Sequence, residues 1–160
     1  MSNAAIMAER ANSFQQSWNF TRSLSLDLLD SLDDESLLFS PGANLGDFWK
    51  QFRHLGRVQE NYVDALRTQK LVFGPQGCHY SGDVSKASLV TYLQTLDHQL
   101  QHELHNLNWE DRIDWFGEQV DVFEHLSRMV GHENLHHGQF IVYMRLLDRK
   151  FPHSWNVFGL

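Results

Sequence analysis

The residues in this 160-residue chain best placed to do chemistry lie late, in His132-Glu133-Asn134-Leu135-His136-His137-Gly138-Gln139. On a helix, His132 and His136 fall on one face, about 6 Å apart along the axis, within reach of a single metal ion. Gln139 continues that stripe one turn further and is a candidate to orient an imidazole or a bound water. Met129, Phe140, Tyr143 and Leu147 fall within a right angle of His132, so the pair should face apolar neighbours. An imidazole pair in that setting is either a metal grip or two hydrogen-bonded core histidines. Spacing alone leaves both readings open, because the chain has ten histidines and two ligands make a poor metal site without a third.

HENLH also satisfies H-E-x-x-H, in which two histidines bind zinc and the glutamate serves as base. That reading fails for want of a third ligand. No glutamate follows Glu133, and the extended motif would need Gly and His where Gln139 and Val142 stand. Glu133 is turned about 100° from His132, which suits a supporting carboxylate or an interfacial one.

The third ligand must come from another helix, and His54 is the best donor, at the edge of the stripe Phe48, Phe52, Leu55, Tyr62 and Leu66. It is expected along a helix seam rather than outward. His98, His102 and His105 are rivals, but His98 and His102 each follow a seam leucine by two residues. That offset turns them about 200° from the core and predicts a solvated face. His125 shares the His132 face nearly two turns away, too far for one ion, and His137 turns about 100° from His136. Cys78 and His79 are adjacent in a loop but lack a third group to orient them as a nucleophile pair.

The elements that must position these residues read as helices over 4–33, 44–69, 84–107 and 121–149. The first carries Phe14, Trp18, Ser25, Leu28, Leu29 and Leu32 at helical spacing. The second opens near Asn44 as N-cap. The third follows a Gly-rich loop from Gly74 to Gly82, is capped by Asp83 or Ser85, and runs Leu89, Leu93, Leu96, Leu100, Leu104, Leu107. Asp121 and Glu124 form a capping-box variant at the start of the fourth, and Pro152 with the tail from Asn156 stops it. Between Asn108 and Gln119 short extended structure is expected, with a turn at Gly117. Four such helices imply one all-α four-helix bundle spanning residues 1–160.

Composition narrows the function classes. A net charge of −7 and thirteen scattered Lys and Arg argue against nucleic acid. No apolar run is long enough for a membrane span or a signal-peptide core, and a single cysteine excludes an internal disulfide. A cytoplasmic protein is expected.

VFEHLSRMVGHENLHHGQFIVYMRLLDRKFP resembles the closing helix of the DinB/YfiT-like superfamily, with its H-x-x-x-H-x-G-Q signature. LLFSPGANLGDFWKQFRHLGRVQENYVDAL resembles that family's second helix, which carries the first metal histidine. The resemblance spans most of the chain; the first helix and the segment from Leu71 to Asp83 match in outline. It implies a bundle holding one divalent ion through His54, His132 and His136, with nitrogen–metal distances of about 2.0–2.2 Å. Zinc or nickel comes first, although three imidazoles also suit iron or copper. It further implies a metal-dependent enzyme that activates a thiol or water for a small-molecule substrate, as S-transferase, isomerase or hydrolase, with a low-molecular-weight thiol as co-reactant in some relatives. The alternative is a non-catalytic, stress-associated metal protein. Homodimers through helix faces are common among such relatives.

Overall fold

The computed structural model describes residues 2–74 and 79–160, the side chains of residues 3 and 4 excepted; Cys78 lies outside them. In chain order the elements are α1 (Asn3–Ser31), a single turn α2 (Asp34–Leu37), α3 (Phe48–Thr68), α4 (Lys86–Asn106), the strands β1 (Arg112–Trp115) and β2 (Glu118–Asp121), α5 (Val122–Leu146) and a closing 3-10 helix (His153–Phe158). The four long helices form the bundle. α5 packs on both α1 and α3, and α4 packs on the same two from the other side. The expected helices are all present, and where their ends differ the backbone gives the reason.

α3 starts at Phe48 rather than near Asn44. Gly46 takes a left-handed φ of 69° that breaks any earlier turn, and Asp47 stands at the N-cap. α4 is capped by Ser85, whose side chain accepts from the Ser88 N–H. α5 opens on Asp121, which accepts from the Glu124 N–H at 2.7 Å. Its end comes at Leu146, short of Arg149. Asp148 turns left-handed at φ 52°, and Arg149 N–H reaches back to the Met144 carbonyl at 3.0 Å, a Schellman closure. The tail beyond Pro152 is more than a stop. It coils into the 3-10 helix and buries Trp155, whose indole N–H donates to the Leu24 carbonyl at 3.0 Å.

The extended stretch is an antiparallel hairpin, Arg112 opposite Asp121 and Trp115 opposite Glu118. Phe116 and Gly117 both have positive φ, 54° and 101°, which is the type I′ turn matched to strand twist. Ile113 and Val120 point into the core. The chain leaving α3 docks on this hairpin through Leu71 N–H to the Asp114 carbonyl at 2.9 Å.

The core is divided. One apolar half gathers Phe14, Trp18, Val58, Tyr62, Leu100, Leu126 and Met129; the other gathers Leu24, Leu28, Phe48, Phe52, Leu93, Phe140 and Trp155. Between them runs a polar layer to which all four long helices contribute. Arg22 and Ser25 come from α1, Gln59 from α3, Asp97 from α4, Glu133 and His137 from α5. At the α3–α5 edge of the same level lie three further histidines.

Candidate metal centre

His54 of α3 and His132 and His136 of α5 are brought together because α5 packs against α3. The rings of His54 and His132 are 5.3 Å apart, those of His54 and His136 4.9 Å, and those of His132 and His136 4.7 Å. One ring nitrogen from each lies within 4.8 Å of those of the other two, a set that could hold a metal ion. The burial is graded: His136 is buried, His132 intermediate, and His54 exposed. His54 is expected along the seam between helices rather than outward. It stands instead on the rim, meeting the other two rings on one side and water on the other.

The imidazoles are suited to ligation by charge as well as position. Burial holds His136 down to about 3, helped by the neighbouring His132 and His54; burial and His54 hold His132 to about 4. Burial, with Arg57 and Arg53 nearby, lowers His54 too. All three are therefore neutral at pH 7, with ring lone pairs unprotonated.

Gln51 decides the tautomer of His136. The Tyr143 hydroxyl donates to the Leu45 and Gly46 carbonyls, at 2.7 and 2.9 Å. The Gln51 amide nitrogen therefore donates to that hydroxyl at 3.2 Å and to Leu45 O at 3.3 Å. This leaves Gln51 Oε1 facing His136 Nδ1 at 3.0 Å as an acceptor. The network thus assigns the proton to Nδ1 and frees Nε2, which is the arrangement of a metal-binding histidine with an outer hydrogen-bond partner.

The structure distributes the other candidates differently. Gln139 is exposed and has no side-chain hydrogen bond among the described residues; the orienting position assigned to it is taken by Gln51, from the facing helix. Glu133 faces α1 instead of the three imidazoles. Its carboxylate pairs with Arg22 at 3.0 Å and accepts from Ser25 Oγ at 2.6 Å. Burial pushes that carboxyl upward, while Arg22 and Ser25 pull it back. His137 meets the same Ser25 hydroxyl at 2.8 Å and packs at a tilt against Trp155, on the α1 side. His125 is fully buried, accepting from Trp115 Nε1 at 2.9 Å and donating Nε2–H to the Tyr62 carbonyl at 3.0 Å. It is a hydrogen-bonded core histidine. His98, His102 and His105 lie exposed on α4, outside the cluster. Arg22 and Gln59, central to the polar layer, drew no notice in the sequence. A charged residue between Trp18 and Leu24 in a helix was the available sign of a buried partner.

The fit to a divalent ion rests on the donor set: three neutral nitrogen donors, one tautomer assigned by hydrogen bonding, and no carboxylate in the cluster among the described residues. Such a set leaves room for a further ligand, as in catalytic rather than closed structural sites.

A helical bundle with three histidines converging from two of its helices defines the class of protein to which the comparisons lead. The chain belongs to the DinB superfamily, whose family model matches residues 17–140. It is 26% identical to the uncharacterized protein YrdA of Bacillus subtilis (strain 168), over 96% of this chain and 97% of the relative. Two crystal structures share the fold. A DinB-like protein of Bacillus cereus ATCC 10987 aligns with TM-score 0.74 and 21% identity, over 88% of this chain and 95% of its own. The DinB-like protein YjoA of B. subtilis aligns with TM-score 0.71 and 15% identity, over 89% and 96%. No helix among the described residues is long and apolar enough to cross a membrane.

Proposed function

We propose that the protein is a metalloenzyme that holds one divalent ion, zinc or nickel, through His54, His132 and His136 and activates water or a thiol for attack on a small-molecule substrate. The observation that carries this reading is the convergence of three neutral imidazoles, within 4.8 Å of one another, at a rim where His54 stays open to solvent. A bound divalent ion would act as a Lewis acid, lowering the pKa of water or a thiol at its remaining position. The protein's own contribution is positional. α3 and α5 present the donors, Gln51 keeps a proton on His136 Nδ1, and burial keeps the rings neutral. The exposed side of His54 gives a substrate its approach, and Arg57, one turn along α3, adds positive charge beside it.

Metal content of the purified chain, measured by mass spectrometry, tests the ligand set. One ion per chain is expected in the native protein, and its loss in the single variants His54→Ala, His132→Ala and His136→Ala. His137→Ala, and the combined replacement of His98, His102 and His105, should leave it in place. Retention in His54→Ala with loss in His137→Ala would overturn the assignment. X-ray absorption then separates a catalytic from a structural ion: an exchangeable oxygen or thiol ligand is expected, and a fourth protein ligand would refute the enzyme reading.

A further inference from the structure

A cavity of about 530 Å³ opens between α1, α5 and the closing 3-10 helix, and none of the three clustered imidazoles lines it. Phe20, Ile141, Trp155 and Phe158 give it apolar walls, and no charged side chain borders it. Phe20 and Phe158 meet edge to face at 6.3 Å, yet remain 49% and 55% exposed. Gly138 keeps part of the space open. A Cβ added there would meet nothing within 4 Å, and its φ is not positive. In a helix interior that glycine costs about 1 kcal/mol relative to alanine.

Two polar groups at the base of this cavity point to a ligand. Thr21 is 3% exposed and His137 6%, and both line it. Glu133 is ion-paired with Arg22, so the Ser25 hydroxyl spends its proton on that carboxylate at 2.6 Å. Ser25 Oγ therefore accepts from His137 Nε2–H at 2.8 Å. That assigns His137 the tautomer with a bare lone pair on Nδ1. Neither Nδ1 nor Thr21 Oγ1 has a hydrogen-bond partner among the described residues, and neither is sealed from solvent. Buried polar atoms are nearly always paired. Water can pair them, but the aromatic walls above gain nothing from water.

We infer that this cavity is a small-molecule site separate from the metal centre, taking a neutral aromatic compound whose hydroxyl donates to His137 Nδ1. Its volume falls within the range of about 300–1,000 Å³ usual for such pockets. The ligand's ring lies among Phe20, Trp155 and Phe158, which suit offset and edge-to-face contacts. An ion is disfavoured, because no opposite charge lines the cavity to offset its desolvation. A protein surface laid across the exposed rings would cover them and leave Nδ1 and Thr21 unmet, whereas a small molecule reaches both.

The test titrates the full chain with β-naphthol by calorimetry. Saturable binding of one molecule per chain is expected, unchanged when metal is removed by a chelator. The methyl ether of β-naphthol has no proton for Nδ1 and should bind about tenfold more weakly. The anion β-naphthoate should not bind. Gly138→Leu should abolish binding by filling the cavity, whereas Gly131→Leu, on the same helix but outside the cavity, should leave it unchanged. Thr21→Val keeps the shape of the site and should weaken binding several-fold; it carries the test should Gly138→Leu lose its helical circular dichroism. An absence of saturable binding, binding that persists in a folded Gly138→Leu, or an ether as tight as the naphthol would each overturn the inference. So would a site that disappears as protein concentration rises, which would give the cavity to a second copy of the chain.

Discussion

Replacing Glu133 by alanine distinguishes a carboxylate that serves the metal from one that serves the fold. Its side chain is 3% exposed and that of Arg22 4%, with the two charges 3.0 Å apart. Removing the carboxylate leaves Arg22 with the Gln59 oxygen at 2.6 Å and the more distant Asp97 at 3.4 Å. Arg22 has no reserve, since its Nε and Nη1 are already buried without a hydrogen-bond acceptor. Ser25 also loses its 2.6 Å acceptor. Breaking one side of a buried pair costs about 3–5 kcal/mol. In a chain of this length each kcal/mol lowers Tm by about 2–4 °C, so a fall of roughly 6–20 °C is expected. Circular dichroism melts measure the loss, and mass spectrometry at a temperature where the variant remains folded should find the metal retained. The double variant R22M/E133L should recover much of the stability, because it removes both charges and fills the space. If E133A melts with the native protein but loses the metal, the carboxylate belongs to the site and not to the fold.

Three further outcomes follow from the same geometry. Gln51→Leu removes the acceptor from His136 Nδ1 and should weaken metal affinity about 10–100-fold without abolishing binding, as read by competition with a chromogenic chelator; unchanged affinity would sever Gln51 from the site. Burial holds His125 to about 4, whereas an unfolded histidine titrates near 6.5. Protons therefore favour the unfolded chain between these values. Stability should be full above pH 6.5 and fall by about 3 kcal/mol on this residue's account as the pH drops toward 4. Urea unfolding at pH 7.5 and 4.5 checks it, and His125→Phe should shrink the difference by about that amount, leaving the share of the other buried histidines, His132, His136 and His137, while lowering stability at pH 7.5. Gly56→Ala would place a Cβ 2.1 Å from the Tyr92 ring, which is held by Tyr80 and by its hydroxyl bond to Glu60. A loss of about 1–3 kcal/mol is expected by denaturant titration, and a neutral effect would mean that the α3–α4 contact relaxes freely.

The parts of this molecule written in periodic patterns were legible before the structure. The leucine seam of α4 and the offset of His98 and His102 from it put those histidines on the outside. The four-residue step between His132 and His136, with His54 on a second amphipathic helix, was enough to name the three rings that meet. What escaped was set by groups distant in the chain. Gln51 is one polar residue among several on α3, and its orientation comes from the Leu45 and Gly46 carbonyls acting through Tyr143. Arg22 reads as an ordinary helix residue until Gln59, Asp97 and Glu133 arrive from three other helices. The early stop of α5 depended on a left-handed Asp148, a conformation that aspartate adopts only on occasion. The late start of α3 turned on Gly46, overlooked in favour of the better N-cap at Asn44.

α5 presents His132 and His136 to α3 and Glu133 and His137 to α1, and leaves Leu135 and Val142 exposed on its remaining face. Two of its faces thus carry separate constellations, and this makes the helix intolerant of frame. Deleting one residue between Met129 and His132 would rotate everything beyond it by about 100° relative to what precedes. Leu135 would swing from the outer surface toward the α1 side where Asn134 now lies, His136 would leave the rim for the outer surface, and Glu133 would turn onto the rim and lose Arg22. Most substitutions here disturb one face at a time. A single-codon deletion would strike both constellations at once, so length variation within the protein should collect in the connections between helices, such as that between Leu71 and Asp83, and not within the span from Val122 to Leu146.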